Sequence, residues 1–308
     1  MTLPLQLLAA PIIAWLAGTL FIAHLLQGIT ARTASGRGAQ PFTRLRSGVL
    51  WRSITRRLTA LTGGVVTVGL VVSLGTMLAC FATVYDTANV ADARFRVGSD
   101  IRLTPNPTSD QPHPTALSTE FDAPGVGGAT PVVFSSQNSV LTSDFNEDVA
   151  SLAAIDPDTF GTVAALLDSV FVSGTASRML SALRSTPDGI LVNIALAEGL
   201  KLEIGDPAEV LLARDTDQQI RKPMRVVGLF TKFPGAAQGA DIVANLDFYQ
   251  RETGLTEADF YLVASSDRSA SGLDRTVQGL SKVQALSAGQ EFQQDFEVLT
   301  SETALDRD

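Results

Sequence analysis

The sequence predicts a membrane protein in which two transmembrane α-helices precede a mixed α/β (α+β) domain outside the cytoplasm. Three observations predict it. Residues 3–27 and 58–85 are long apolar stretches without a single Asp, Glu, Lys or Arg. All seven arginines of the first 85 residues lie between those stretches, at 32–57. The rest of the chain is acidic: subtracting this +7 from the whole-chain charge of -9 leaves -16 on residues 86–308. A basic part beside apolar runs and an acidic remainder point to two compartments.

The first stretch, Leu3 to Gln27, is long enough to cross a hydrocarbon core of about 30 Å. Pro4 and Pro11 fall in its first half, where membrane helices tolerate proline. A cleaved secretory signal would need basic residues ahead of the apolar run. Here they follow it, so the stretch reads as a mature helix. The second, 58–85, is rich in Val, Leu and Gly. Gly75, Ala79 and Thr83 recur at four-residue steps there, as do Ala10, Ala14 and Gly18 in the first. Such spacing reads either as a face for close helix contact in lipid or as ordinary lipid-facing composition.

Arginines between the spans place residues 28–57 in the cytoplasm and residues 86–308 on the far side. Within that loop, 30–40 is rich in Gly, Ser and Ala and reads as flexible. Residues 43–57 read as an amphipathic basic helix at the membrane surface. Leu45, Val49 and Ile54 share its apolar face with Leu50 and Leu58, while Arg52, Arg56 and Arg57 stand mostly elsewhere. These six residues, Leu45, Val49, Arg52, Ile54, Arg56 and Arg57, form the candidate coupling segment, with membrane lipid as its contact.

Beyond the second span the helix is expected to continue to Arg96, and alternation over 96–104 predicts a strand. Pro105 to Pro114 reads as a turn region. Short strands are expected at 130–134, 139–142, 189–192, 209–213, 225–230, 241–244 and 260–264. Helices are expected at 156–167, 194–200, 246–253 and 271–286, and a turn at 202–206. Interspersed strands and helices predict an α/β or α+β domain.

Chemistry-bearing motifs are missing from the sequence. There is no GxxxxGK[ST], no GxSxG and no HExxH. ATP is therefore left to a partner, no cofactor is expected in this chain, and the chain reads as a non-enzyme. One cysteine, Cys80, forms no internal disulfide. His24 and His113 stand 89 residues apart and do not read as metal ligands. Gly125 to Gly128 reads as a flexible loop, and Asp144, Glu147 and Asp148 as a solvated acidic loop. The acidic surface argues against nucleic acid as a partner.

Several segments, taken in order, resemble the FtsX-like, MacB-type permeases of ABC transporters, particularly the actinobacterial kind with two permease repeats. ATVYDTANVADARFRVGSDIRL (82–103) is similar to the passage from a repeat's first span into its outer domain. AAIDPDTFGTVAAL (153–166) is similar to that domain's Asp-x-x-x-Phe element. GILVNIALAEGLKLEIGDPAEVLL (189–212) and MRVVGLFTKFPG (224–235) resemble its strand–helix–Gly-Asp segment and its Val-Val-Gly strand with Phe-Pro-Gly turn. The resemblance covers about residues 43–300. It implies a periplasmic core domain of the MacB type at 86–308 and localisation as a multi-pass protein of the cell membrane. It implies as partners a cytoplasmic ABC ATPase subunit, and either the remaining permease helices or a second permease copy. In that family three further spans follow the outer domain, so the chain is expected to be an internal or partial piece of a permease. The alternative is a membrane-anchored extracytoplasmic sensor or binding module without transport.

Topology is directly testable. With Cys80 replaced, a cysteine introduced at Ser109 should react with an impermeant thiol reagent on intact cells, and one at Gly38 should be protected. The opposite pattern would reverse the orientation.

Overall fold

A computed structural model describes residues 17, 18, 21, 24, 45–105, 113–117, 119–144, 146–235, 239–288 and 296–300. Two units divide the chain, Met1–Asp86 and Thr87–Asp308.

In the first unit the described residues belong almost entirely to helix α1, Leu45–Val97, which ends in the second unit. Its 53 residues correspond to about 80 Å at 1.5 Å per residue. The basic segment 43–57 was expected as a surface helix leading into the span at 58–85, and α1 runs through 57/58 without a break. Among the described residues one stretch is long and apolar enough to cross a membrane, Thr67–Val97 within α1. Val68, Val71, Leu74, Leu78 and Phe81 on it are exposed. One candidate span is thus observed among the described residues. Of the other expected span, only Ala17, Gly18, Phe21 and His24 are described, all helical, and the rest of 3–27 lies outside the described residues.

The second unit is built on a nine-stranded mixed sheet. Its strands are β1 Ile101–Pro105, β2 Val126–Thr142, β3 Glu147–Ile155, β4 Gly189–Asn193, β5 Pro207–Leu212, β6 Ile220–Phe230, β7 Ile242–Asn245, β8 Phe260–Ser265 and β9 Phe296–Thr300. The order across the sheet is β3-β7-β4-β6-β5-β2-β8-β1-β9, and β3 pairs with β2 as well. That extra pairing closes six strands into a ring, from which β8, β1 and β9 extend. The helices are α2 Pro157–Val163, α3 Ala176–Ser185, α4 Ile194–Leu200, α5 Leu246–Thr253 and α6 Ala270–Ala288.

Strand β2 belongs to both parts of the sheet. One edge pairs with β3 from Val132 to Thr142. The other pairs with β8 over Val126–Val132 and with β5 over Val140–Thr142. Between these partners the strand bulges, and Gln137 takes φ 52. The two short strands expected at 130–134 and 139–142 are therefore one bulged strand. A bulge bends a strand and sharpens its twist, which lets it serve two neighbours. Gly125 to Gly128, expected as a flexible loop, instead turns the chain into β2. Gly125 has φ +96, and a Cβ there would come within 2.9 Å of Thr276 Oγ1.

Burial on both faces explains the continuous apolar strands. In β4, Ile190 and Val192 enter one core cluster with Leu152, Val210 and Ile242, while Leu191 enters a second with Phe160, Leu183 and Phe230. Alternate side chains point to opposite faces. A third cluster gathers Ile101, Leu103, Tyr261, Val263 and Leu280.

Short helices start on side-chain caps. Asp156 accepts from Asp158 N–H at 2.9 Å ahead of α2, Asn193 from Ala195 N–H at 2.9 Å ahead of α4, and Asn245 from Asp247 N–H at 2.9 Å ahead of α5. Each such cap contributes about 1 kcal/mol. Helix α2 stops at Val163, so the expected helix over 156–167 is shorter by its last turn. The strand expected from Arg96 begins only at Ile101, because α1 continues to Val97 and Gly98 turns at φ +99.

Of the acidic set expected in a loop, Glu147 and Asp148 lie in β3, and Asp148 Oδ1 accepts from Val149 N–H at 2.8 Å. Among the described residues no group of three or more His, Cys, Asp or Glu could hold a metal ion.

All three core clusters lie beyond Thr87, so a fragment beginning there should be soluble and unfold cooperatively. In that fragment Phe160→Ala should cost about 3–5 kcal/mol, read from denaturant unfolding, because Phe160 is fully buried. A fragment without amide-exchange protection would mean that the core needs the membrane helix.

Candidate functional site

The passage from α1 into the sheet is a buried polar region of the second unit. Gly98 N–H closes the last helical turn by donating to Arg94 O at 2.8 Å. The chain then runs through Ser99 and Asp100, both buried, into β1. Buried polar groups need partners, and both residues have them. Ser99 Oγ lies 2.7 Å from Val163 O and 3.0 Å from Val263 O, so its hydroxyl bridges α2 and β8. Asp100 Oδ1 is 2.7 Å from Arg94 Nε, back on the helix. Its Oδ2 accepts from Ser265 N–H at 3.0 Å and lies 3.5 Å from Arg268 Nε.

From Ser265 the polar contacts continue. Its hydroxyl is 2.9 Å from Thr276 Oγ1 on α6, which donates to Gly125 O at 3.0 Å, at the start of β2. Beside it, the Asp267 carboxyl is held below its ordinary value. The Ser269 backbone amide is the chief cause, followed by the Ser269 hydroxyl, with the Arg275 guanidinium adding to them.

A second set of contacts comes from Phe233-Pro234-Gly235. Gly235 N–H donates to Phe95 O at 3.1 Å, and Arg102 Nη1 donates to Gly235 O at 2.6 Å. The Arg102 guanidinium also sits 3.8 Å over the Phe260 ring. A Cβ on Gly98 would stand 2.6 Å from Gly235 Cα, so the two backbones touch where no side chain fits. Phe233 stacks on Phe160 with centroids 5.3 Å apart and meets Phe230 edge-on at 5.7 Å. The Asp-x-x-x-Phe and Phe-Pro-Gly elements, 73 residues apart from Phe160 to Phe233, thus meet under the helix exit. The Gly-Asp turn meets the Val-Val-Gly strand in the same way: Gly205 N–H donates to Val226 O at 2.7 Å and Val226 N–H to Asp206 O at 3.0 Å.

A family model for the MacB-like periplasmic core domain matches residues 64–279. The chain belongs to that family. The matched region begins inside α1, takes in the whole helix exit and ends in α6. As a member, the chain carries the extracytoplasmic core domain of an ABC-transporter permease behind an apolar helix. Solved structures to which the chain is similar include the extracellular domain of the noncanonic ABC-type transporter YknZ from Gram-positive bacteria, at 14% identity and TM-score 0.45, covering 65% of this chain and 99% of that one. Another is a domain assigned to a permease protein from Porphyromonas gingivalis, at 15% identity and TM-score 0.40, covering 67% of this chain and 88% of that one. No curated protein matches.

Leu45, Val49, Arg52, Ile54, Arg56 and Arg57 all lie in α1, in the other unit; their side chains fall outside the described residues. Sequence reading passed over Asp100, Ser99 and Arg268 at the exit of this MacB-like domain. A Gly-Ser-Asp directly after a helix was the available signal. The partners Ser265 and Arg268 lie more than 160 residues away, so nothing local announced a buried carboxylate.

Asp100→Ala should destabilise the domain by about 2–4 kcal/mol, since it strips Ser265 N–H of its acceptor and Arg94 of its counter-charge. Gly98→Ala should cost about 1–3 kcal/mol through the positive φ and the Gly235 contact. Asp92→Ala, which removes only an exposed ion pair with Arg96, should stay within about 0.5 kcal/mol. Amide exchange of β1 and β8 measures all three; equal effects of Asp92→Ala and Asp100→Ala would refute the ranking.

Proposed function

We propose that this chain is the transmembrane component of an ABC transporter and couples a separate cytoplasmic ATPase subunit to work done outside the cytoplasm, either export or mechanical signalling. The ATPase drives movement of the spans, the remaining permease helices or a second permease copy complete the assembly, and α1 carries the movement outward. The basic segment takes its place at the cytoplasmic surface. There Leu45, Val49 and Ile54 lie in the interface, and Arg52, Arg56 and Arg57 face lipid phosphates, each contributing about 1 kcal/mol of attraction.

The observation that supports this reading is the helix exit. A tethered domain would need only a flexible linker. Here α1 passes through the buried Gly98-Ser99-Asp100 straight into β1, and its last turn and this exit are tied to the Phe-Pro-Gly turn, to the end of α2 and to the end of β8. Displacing that turn without breaking buried hydrogen bonds requires the sheet to move with it. A contiguous network of packed and hydrogen-bonded groups is one means of carrying coupling, and the network at this exit supports that reading.

The test uses the chain joined to its remaining helices and reconstituted with the ATPase. Two glycines inserted between Val97 and Gly98 should abolish ATP-driven transport while the outer domain stays folded and the ATPase stays bound. Replacing Leu45, Val49 and Ile54 by Ser, with every arginine kept, should lower coupling without changing orientation. Unchanged transport in both variants would sink the proposal.

A further inference from the structure

A second feature lies away from the helix exit, where β2 changes partners. Its outer edge leaves β8 after Val132 and meets β5 only at Val140, so residues 133–139 have no strand on that side. The opening is a cleft of about 390 Å³, floored by the bulge of β2 and walled by Tyr249 of α5 and by the residues leading into β8. That volume lies within the range of small-molecule sites.

Two carboxylates, Asp259 and Glu257, line the cleft beside the polar side chains of Ser135, Ser136, Asn138, Thr216 and Tyr249. Asp259 uses one oxygen to accept from Phe134 N–H at 2.6 Å, which caps the open strand edge. Crowding by the protein pushes its carboxyl above the ordinary aspartate range, against the pull of that amide and of Arg102. Glu257 stands two residues away, and neither carboxylate has a salt bridge among the described residues. Asn138 Oδ1 is buried without a hydrogen-bond partner. Tyr249 is 2% exposed, lines the cleft, and its hydroxyl makes no hydrogen bond among the described residues. Burial and the Asp259 charge push that phenol up to about 12, so it stays protonated and neutral. Val133, Phe134 and Leu255 supply apolar wall. An unpaired buried acceptor costs free energy until something donates to it.

We infer that this cleft is a binding site for small organic ammonium compounds. The ammonium group meets Glu257, Asp259 and Tyr249, and the hydrocarbon part lies against Phe134 and Leu255. Two carboxylates disfavour an anion. They are also too few to serve as a protein-built metal site, since no three-residue ligand set exists among the described residues. A donor-rich nitrogen cation with an apolar body satisfies both the charge of the two carboxylates and the unpartnered Tyr249 hydroxyl. This inference is independent of the coupling to an ATPase.

The probe is 2-phenylethylammonium, titrated by calorimetry into the full chain in nanodiscs, with empty nanodiscs subtracted. Saturable one-site binding in the millimolar range is expected, as suits a small fragment. The neutral isostere 2-phenylethanol should bind at least about tenfold more weakly, because it lacks the charge that the carboxylates attract. Tyr249→Phe should weaken the amine by about threefold, and Glu257→Gln with Asp259→Asn by about tenfold or more. If that double variant loses amide-exchange protection, Glu257→Lys decides instead: it changes an exposed side chain, keeps the Asp259 cap, and should abolish binding. No saturation by about 10 mM, equal affinity for the alcohol, or unchanged binding in Glu257→Lys would each overturn the assignment.

Discussion

A carboxylate removed from water must be matched by charge and hydrogen bonds, or it opposes folding by several kcal/mol. Asp100 is matched from three directions: Arg94 on the helix, the Ser265 amide at the end of β8, and Arg268 in the following loop. Each contact by itself is modest. Together they require the end of α1, the end of β8 and the start of β1 to hold one arrangement, because losing any of them strands a charge or an amide. Buried ion pairs often contribute no more net stability than a well-packed apolar replacement. The consequence here is geometric: the helix enters the sheet at one place and in one register.

The glycine pair makes the same point by sterics. Gly98 and Gly235 approach so closely that neither tolerates a side chain, and the Phe233 ring beneath them is set by Phe160 and Phe230. Backbone contact, aromatic packing and the Asp100 ion pair therefore converge on one short passage. In this member of the MacB-like family the apolar helix and the outer domain are joined at that passage.

Strand β2 is the second organising element. It closes the six-strand ring through β3 and carries the β8–β1–β9 extension on its other edge. Serving two partners on one edge requires the bulge at Ser135–Ser139. The bulge in turn leaves the gap that Asp259 caps and that forms the acidic cleft. A local irregularity in one strand thus produces both the topology and the cavity.

Patterns with a short period were legible in the sequence. An apolar run without charge announced the candidate span in α1. Helices α4 and α5 were read to the residue, since Asn193 and Asn245 mark their starts and the apolar spacing is regular. Strand β3 was missed because its Ala150, Ala153 and Ala154 carry little strand preference of their own and are strand only through pairing with β2 and β7. Helix α3 was missed although Thr175 caps it and Met179, Leu180 and Leu183 form its buried side.

The sequence by itself determined a basic, apolar-helical beginning, an acidic mixed domain and the absence of an ATP-binding loop, because charge, hydropathy and motif spacing are properties of neighbours along the chain. Only the tertiary structure decided that Asp100 is buried against Ser265 and Arg268, that Phe-Pro-Gly seats on the helix exit, and that Tyr249 and Asp259 share a cleft. The partners in each of these contacts come from distant parts of the chain, and no local pattern encodes which distant group will neutralise a charge or fill a gap.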